Sequence, residues 1–445
     1  MMLMIIRMKR INILLYTILI GLVLSSCKGD SIILPEDVII EPLPEPGEIT
    51  GETLIYNSNL VDDSYVLVNE VTNGRVYLIS KEKGEIKYEW DLPSGLGNDA
   101  ELLPSGKLLV SLEAENTSPT LTIGGWGGRV QIINPDKSIN WDFTYSSDKY
   151  LGHHDVELLP NGNILMMVWE IMNKSEAKQA GYIDIESIDQ LIIESLIEVN
   201  PANNSIVWQW RSKDHLVQDF DENRNNFGNV SQNPQLINLN HAPRSNGDLM
   251  HANGIDYDAV NDIIYLSVNF YNEVWVIDHS TSKEEAVTNS GGNFNKGGNL
   301  IYRFGNPAAY GNNNGNQLFF NNHFPNILEN NGIGSNRNVL IYMNGNVEKQ
   351  SKIIEIRVPH PFNLLPDINN DPEIIWEFTN TELYSPILGG AVRLPNGNTL
   401  ITEPGFGFWE ITNEKEIVWK FKNDVLNWRG YTYAKDDTAI INLGL

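Results

Sequence analysis

A repeated four-strand pattern constrains this chain more than any other feature. From Leu54 onward it recurs as a short apolar segment, a Pro/Asn/Gly hairpin signal, a returning apolar strand, a third strand, and a fourth that closes on an aromatic residue. Each such unit is too small to bury both its faces alone, so units of this period stack around an axis as propeller blades. The hairpins read ELLPSGKLLV from Glu101, ELLPNGNILMM from Glu157 and VRLPNGNTLI from Val392, each a strand, a tight turn and a return. The fourth strands read IKYEWDL from Ile86, INWDF from Ile139, IVWQW from Ile206, LIYRFG from Leu300, IIWEF from Ile374 and IVWKF from Ile417. Six endings predict an all-β, six-bladed β-propeller of four-stranded antiparallel blades over residues 51–445. Blades 4 and 5 lack the Leu-Pro-x-Gly turn, and IDYDAVNDIIYLSV from Ile255 and NILENN followed by NVLIYM from Asn338 fill the same slot with longer turns. The aromatic residues of the fourth strands, set beside β-branched neighbours, suit packing between blades rather than chemistry.

The first thirty residues carry a different signal. Arg7, Lys9 and Arg10 precede an apolar stretch from Ile11 to Leu24, then Ser25, Ser26 and the chain's single cysteine, Cys27. The stretch is shorter than the roughly 20 residues of a spanning helix, and small residues before a lone cysteine have the form of a lipoprotein export signal. The expected organisation is a signal peptide over 1–26, lipid attachment at Cys27, and a tether over 27–50 made extended by Pro35, Pro42, Pro44 and Pro46. That places the protein in the cell envelope, facing the periplasm or the cell surface, with the membrane reached only through the lipid. With no other cysteine, the exported domain must hold together without disulfides. The formal charge of −26 argues against a nucleic-acid partner, because phosphate backbones are bound by cationic surfaces.

Chemistry enters with the histidines. Counting back six residues from the proline slot of each hairpin leads from Pro160 to His154, from Tyr257 to His251 and from Glu329 to His323, and the same count gives Asn98 and Gly389 in blades 2 and 6. First strands line the channel of a propeller, so equivalent positions converge. Hairpin pairing brings Glu113, Trp169 or Glu170, Val268 or Asn269, and Glu403 toward the same layer. Three of only eight histidines at one repeat position point to a site. Two chemistries fit these residue types: a three-histidine metal centre with an open position, or an imidazole nucleophile with neighbours acting as acid, base and anion ligands. Spacings of about 70 to 100 residues do not separate them. Asp278 and His279, after an outer strand, suit a turn or an inter-blade hydrogen bond.

At these residues the chain resembles the bacterial aryl-sulfate sulfotransferase (arylsulfotransferase) family, and in particular a lipoprotein branch of it. The matching text is HHDVELLPNGNIL from His153, HANGIDYD from His251, SVNFYNEVWVIDHSTSKEEA from Ser267, GGNLIYRFGNPAAYG from Gly297 and GGAVRLPNGNTL from Gly389. The resemblance implies transfer of a sulfuryl group from an aryl sulfate to an acceptor phenol through a sulfated histidine, with no cofactor, no bound metal and no nucleotide donor. It makes His323, in QLFFNNHFPNI, the nucleophile, with His251 and Asn253 as a His-x-Asn element and His154 as the second histidine of a His-His-Asp element. The chain departs from the family at two points: Asn322 and Phe324 flank His323 where the family commonly has Gln and Asp, and Asn269 stands where better-studied members carry an arginine. Asn269 and Arg303 are therefore the expected substrate-binding residues beside Asn253, with protonated His154 or His251 as the other source of positive charge. Two further readings belong to other classes: a non-catalytic envelope propeller binding a glycan or sulfated ligand, and a metal-dependent hydrolase or lyase on the same ring.

Overall fold

A computed structural model describes residues 47–115, 121, 123–328, 337–345 and 349–445. The signal peptide, Cys27, the tether up to residue 46 and the tip of the blade 5 hairpin lie outside the described residues.

The fold is all-β, and six antiparallel sheets form a six-bladed propeller. Blade 2 runs from its inner strand Leu96–Leu102 through Leu108–Glu113 and Gly128–Ile133 to the outer Ile139–Thr144. Blade 3 follows as Tyr150–Leu158, Ile164–Asn173, Gln190–Asn200 and Ser205–Arg211, and blade 4 as Ala252–Asp258, Ile263–Val268, Glu273–Asp278 and Tyr302–Phe304. Blade 5 comprises Asn322–Leu328, Arg337–Met343, Lys352–Val358 and Glu373–Thr379, and blade 6 Gly390–Arg393, Thr399–Glu403, Gly407–Ile411 and Ile417–Lys422. The inner strands touch one another in a closed circuit around the axis. Every fourth strand read from the sequence occupies the outer part of its blade.

Both ends of the described chain close the ring. Blade 1 takes its second to fourth strands from Ser64–Glu70, Arg75–Ser80 and Ile86–Trp90, while its inner strand is Asn427–Ala434. Glu52–Tyr56 meanwhile adds a fifth strand outside Ile417–Lys422 of blade 6. The outermost strand of blade 6 is therefore this added one rather than IVWKF. Residues 47–50 already pair along blade 1, with Ile49 bridged to Glu85. Lys81 of blade 1 bonds Glu410 of blade 6 at 2.6 Å, so side chains reinforce the overlap.

Apolar residues on the facing surfaces of adjacent blades make the core. Between blades 3 and 4, Leu165, Met167, Ile193 and Leu196 meet Ile264, Leu266, Trp275 and Ile277; each fully buried side chain of this kind contributes about 1.5–3 kcal/mol. The outer-strand aromatics do more than fill space, because in every blade one of them donates to the next blade. Trp141 Nε1 reaches Asn204 (2.7 Å), Trp208 reaches Thr281 (3.1 Å), Trp376 the carbonyl of Asn413 (2.9 Å) and Trp419 that of Lys81 (2.8 Å). Tyr88 and Tyr302 repeat the contact to the carbonyls of Pro135 and Asn370. A polar tip on an apolar ring lets one side chain both pack and tie.

Two insertions break the pattern. The helix Lys174–Ala180 follows the second strand of blade 3, begun by Asn173, whose side chain caps the Ser175 and Glu176 amides, and ended by Gly181 at φ 92°. Residues 212–251, with short strands Leu216–Val217 and Ile237–Asn238, connect blades 3 and 4 and deliver Asp248 to the site. Among the described residues, no helix is long and apolar enough to cross a membrane.

Candidate active site

Alternation along a strand sends consecutive side chains to opposite faces, so an inner strand ordinarily offers the channel every second residue. These strands break that rule where the histidines lie. In blade 3, Gly152 pairs with Val168 and Val156 with Met166, leaving extra residues on the inner strand, and His154 takes φ 52°. Blade 2 repeats the irregularity between Leu96 and Ala100, with Asn98 at φ 93°, while His251 of blade 4 has φ 46° and Gly389 of blade 6 has φ 98°. The repeat position counted from the hairpins thus coincides with left-handed backbone in four blades. In blade 5 the left-handed residue is Phe324 at φ 49°, one place after His323, and the bulge lies between His323 and Pro325. A count from an atypical hairpin therefore places His323 one residue out of backbone register. Non-glycine residues in this region are disfavoured, and their clustering marks a constrained site.

The ring centroids of His154 and His251 are 5.1 Å apart, and Trp428 of blade 1 lies 5.5 Å from His154 and 6.4 Å from His323. His323 is near enough to both other histidines for a charge on one to oppose a charge on the next. His154 and His323 are buried, while the side chain of His251 keeps 21 % of its surface open. Among the described residues, no group of three or more His, Cys, Asp or Glu side chains has the arrangement of a metal site.

Burial, followed by the neighbouring imidazoles and the Arg429 guanidinium, holds His154 well below the ordinary histidine value. Burial and the charge of His251 push His323 down to about 3, so it is neutral with a free lone pair at any working pH. His251 moves the other way. Burial opposes its charge, but the Asp248 carboxylate, 2.7 Å from Nδ1, outweighs it and raises the value. The carboxylate beside His251 thus favours its charged form, while burial favours the neutral forms of His154 and His323.

Arg429, beside Trp428 on the closing strand, is the buried cation beneath this layer. Its Nη1 donates to Asp155 at 2.8 Å and its Nη2 to the carbonyl of Asn253 at 2.9 Å, and its guanidinium lies 4.0 Å from the Phe324 ring centroid. Burial works against its charge, yet Asp155, Tyr431 and Asp99 raise its value further. Sequence reasoning missed it because the inner strand of blade 1 comes from the far end of the chain. Arg303, by contrast, is consumed structurally: fully buried, it pairs with Glu273 and donates to the carbonyls of Pro234 and Leu236, with none of the three histidines among its partners.

The two asparagines also act on protein. The side-chain amides of Asn253 (2.9 Å) and Asn269 (3.3 Å) both donate to the carbonyl of Asn322, the residue before His323. Trp169 stacks on His153 at 4.2 Å. Glu170 accepts from Lys213 and Ser195, and Glu403 from Tyr384 and Trp409, so both are engaged away from the histidines. Glu113 keeps an open side chain at the end of its strand.

Below the histidines, carboxylates staple the inner strands. Asp155 accepts from the Ile255 amide (2.9 Å), Glu157 from that of Tyr257 (3.3 Å) and Asp256 from that of Ile327 (2.5 Å), each reaching the following blade. Burial raises Glu101 to about 7 and Asp256 to about 8. Sequence reasoning missed this layer too, although the carboxylates recur two residues apart on successive first strands.

The propeller thus gathers three imidazoles, one of them paired with an acid, above a buried guanidinium. The arylsulfotransferase (ASST) family profile matches residues 142–425, and the chain belongs to that family. No curated protein sequence matches this chain. Among solved structures, it is similar to the hydrazine synthase of Kuenenia stuttgartiensis (14 % identity, 48 % of this chain and 51 % of that one, TM-score 0.29), so it spans about half the length of that chain. It is also similar to a luciferin-regenerating enzyme (12 %, 87 % and 92 %, TM-score 0.40) and to a periplasmic gluconolactonase of Pseudomonas aeruginosa (11 %, 83 % and 99 %, TM-score 0.40). These likenesses imply nothing about its chemistry.

Proposed function

We propose that the protein transfers a sulfuryl group from an aryl sulfate to an acceptor phenol through a sulfated His323, without a nucleotide donor. The observation that carries this reading is the gathering of three imidazoles, with the Asp248 carboxylate 2.7 Å from His251 Nδ1 and His323 buried away from any carboxylate partner among the described residues. A nucleophile must offer a lone pair, and His323 is held neutral; an anionic ester needs a cation, and Asp248 favours the imidazolium of His251 at the open edge of the cluster. In the first half-reaction an imidazole nitrogen of His323 attacks sulfur, and the S–O bond breaks with its electron pair on the departing phenolate. In the second the acceptor oxygen attacks the same sulfur and releases the imidazole. Asn253 and Asn269 hold the backbone that carries His323, and Arg429 supplies a fixed positive potential from below.

The test is release of a chromogenic phenol from its sulfate by the folded domain, with and without a second phenol. Ping-pong kinetics and a radiolabelled, acid-labile enzyme adduct are expected. His323→Ala should remove the adduct and lower turnover by at least about 1,000-fold, the scale of loss when a nucleophile is deleted. An adduct that persists in His323→Ala but vanishes in His251→Ala would reverse the two roles. The reading includes a place of work: anchorage in the cell envelope through lipid on Cys27. Cys27→Ser should move the protein from the membrane fraction to the soluble fraction, and unchanged membrane association would refute the anchor.

A further inference from the structure

The proposed transfer has an unassigned proton. A departing phenolate must gain one in the first half-reaction, and the acceptor phenol must lose one in the second, so a group that lends and recovers the same proton is needed. His154 is the nearest neutral imidazole, but it is buried and surrounded by other imidazoles.

Two buried groups outside the histidine trio, His153 and Glu194, form a chain behind His154. The Nδ1 atoms of His153 and His154 are 2.8 Å apart, and His153 Nε2 is 2.9 Å from Glu194 Oε2, while the other oxygen of Glu194 accepts from the Ala252 amide at 2.9 Å. Consecutive strand residues ordinarily face apart, so a direct contact between adjacent imidazoles needs the left-handed turn at His154. The side chain of His153 is completely buried and that of Glu194 is 2 % exposed, which denies both a direct exchange of protons with solvent. Two nitrogens facing each other at 2.8 Å require that one donates and the other accepts.

With both imidazoles neutral, only two arrangements satisfy this chain, and they differ by one proton. In one, Glu194 carries its proton and donates to His153, His153 donates from Nδ1 to His154, and His154 keeps its proton on Nε2. In the other, the Glu194 carboxylate accepts from His153 Nε2, His154 donates from Nδ1 to His153, and His154 Nε2 is a bare lone pair. That nitrogen has no hydrogen-bond partner among the described residues.

We infer that Glu194, His153 and His154 form a proton relay serving both halves of sulfuryl transfer; the inference rests on the aryl-sulfate reading above. As the S–O bond breaks, His154 Nε2–H passes its proton to the phenolate oxygen, His153 Nδ1–H moves to His154 Nδ1, and the Glu194 proton moves to His153 Nε2. The sulfated imidazole carries no net charge, the phenol is neutral, and the single negative charge that entered on the ester now rests on Glu194. The acceptor phenol reverses every transfer as its oxygen attacks sulfur. Burial raises Glu194 well above the ordinary carboxyl range and lowers both imidazoles, which favours the protonated carboxyl at rest and excludes a doubly protonated imidazole within the chain. His154 is the group that meets substrate, and Glu194 and His153 act through it.

The test compares two donors in single turnover. 4-Nitrophenyl sulfate departs without help, whereas phenyl sulfate expels an oxygen whose conjugate acid has a pKa of about 10. Glu194→Gln and, independently, His153→Phe should slow phenol release from phenyl sulfate by about 100-fold or more, the lower end of general acid catalysis. Release of 4-nitrophenol should change less than about threefold. In the unaltered protein, release of phenol should slow more in deuterium oxide than release of 4-nitrophenol, a comparison that needs no variant to fold. Equal losses for both donors, or equal isotope effects, overturn the relay while leaving sulfuryl transfer standing. An unaltered protein that releases neither phenol and forms no adduct overturns both.

Discussion

Arg429 illustrates how much one residue can link. Its guanidinium joins the Asp155 carboxylate of blade 3 to the Asn253 carbonyl of blade 4, and both positions adjoin residues of the candidate site. Removing one partner of a buried ion pair strands the other, at a cost of about 3–5 kcal/mol. Arg429→Met should lower stability by that amount in denaturant titrations at neutral pH, and adding Asp155→Asn should return a measurable part of it, the signature of coupling in a double-mutant cycle. A sum of two independent losses would show that the pair is not the origin of the effect. None of this was legible from hairpin counting, since Arg429 follows no hairpin. What could have found it is arithmetic: six outer strands but only five counted first strands left one inner strand unassigned, and only the residues after IVWKF remained to supply it. Arg303 was the opposite case. Its text looked family-like, but a guanidinium on an outer strand beside Glu273 has its partner already.

At the scale of elements, strands were readable wherever turn chemistry is local, because Leu-Pro-x-Gly fixes a reversal without reference to the rest of the fold. Bulges were not, since an extra residue in an inner strand satisfies a neighbour far away in sequence; hence the one-residue offset of His323 in blade 5. Inter-blade ties were half legible. His279 was expected to serve a turn or a blade contact, and it bonds Asp262 of its own blade at 2.7 Å and Glu198 of blade 3 at 3.1 Å. Burial opposes its charge, but these two carboxylates raise its pKa to about 9, against about 6.5 for an unperturbed histidine. A raised folded-state value stabilises fully below the unfolded value and is lost as pH climbs through the folded one. The stability advantage of the natural protein over His279→Gln should therefore be constant below about pH 6.5 and shrink steadily toward pH 9. Thermal unfolding of both proteins across that window measures it, and a gap that widens with pH would contradict an imidazolium bridge.

For the whole molecule, the decisive property is circular closure. The number of blades followed from repeats, because each blade is a local product of its own sequence. The joint did not, because it depends on two segments about 370 residues apart finding each other: Ser64 of blade 1 pairs with Ala434. The joint also brings Trp428 and Arg429 to the histidines, so architecture and site share one seam. That seam sets an order of events during synthesis. A chain that emerges from its N-terminus displays His154, His251 and His323 before Arg429 exists. A chain without the last blade strand lacks the Trp428 ring beside His154 and His323 and the Arg429 bridge between Asp155 and Asn253. The candidate site is therefore complete only with the latch in place.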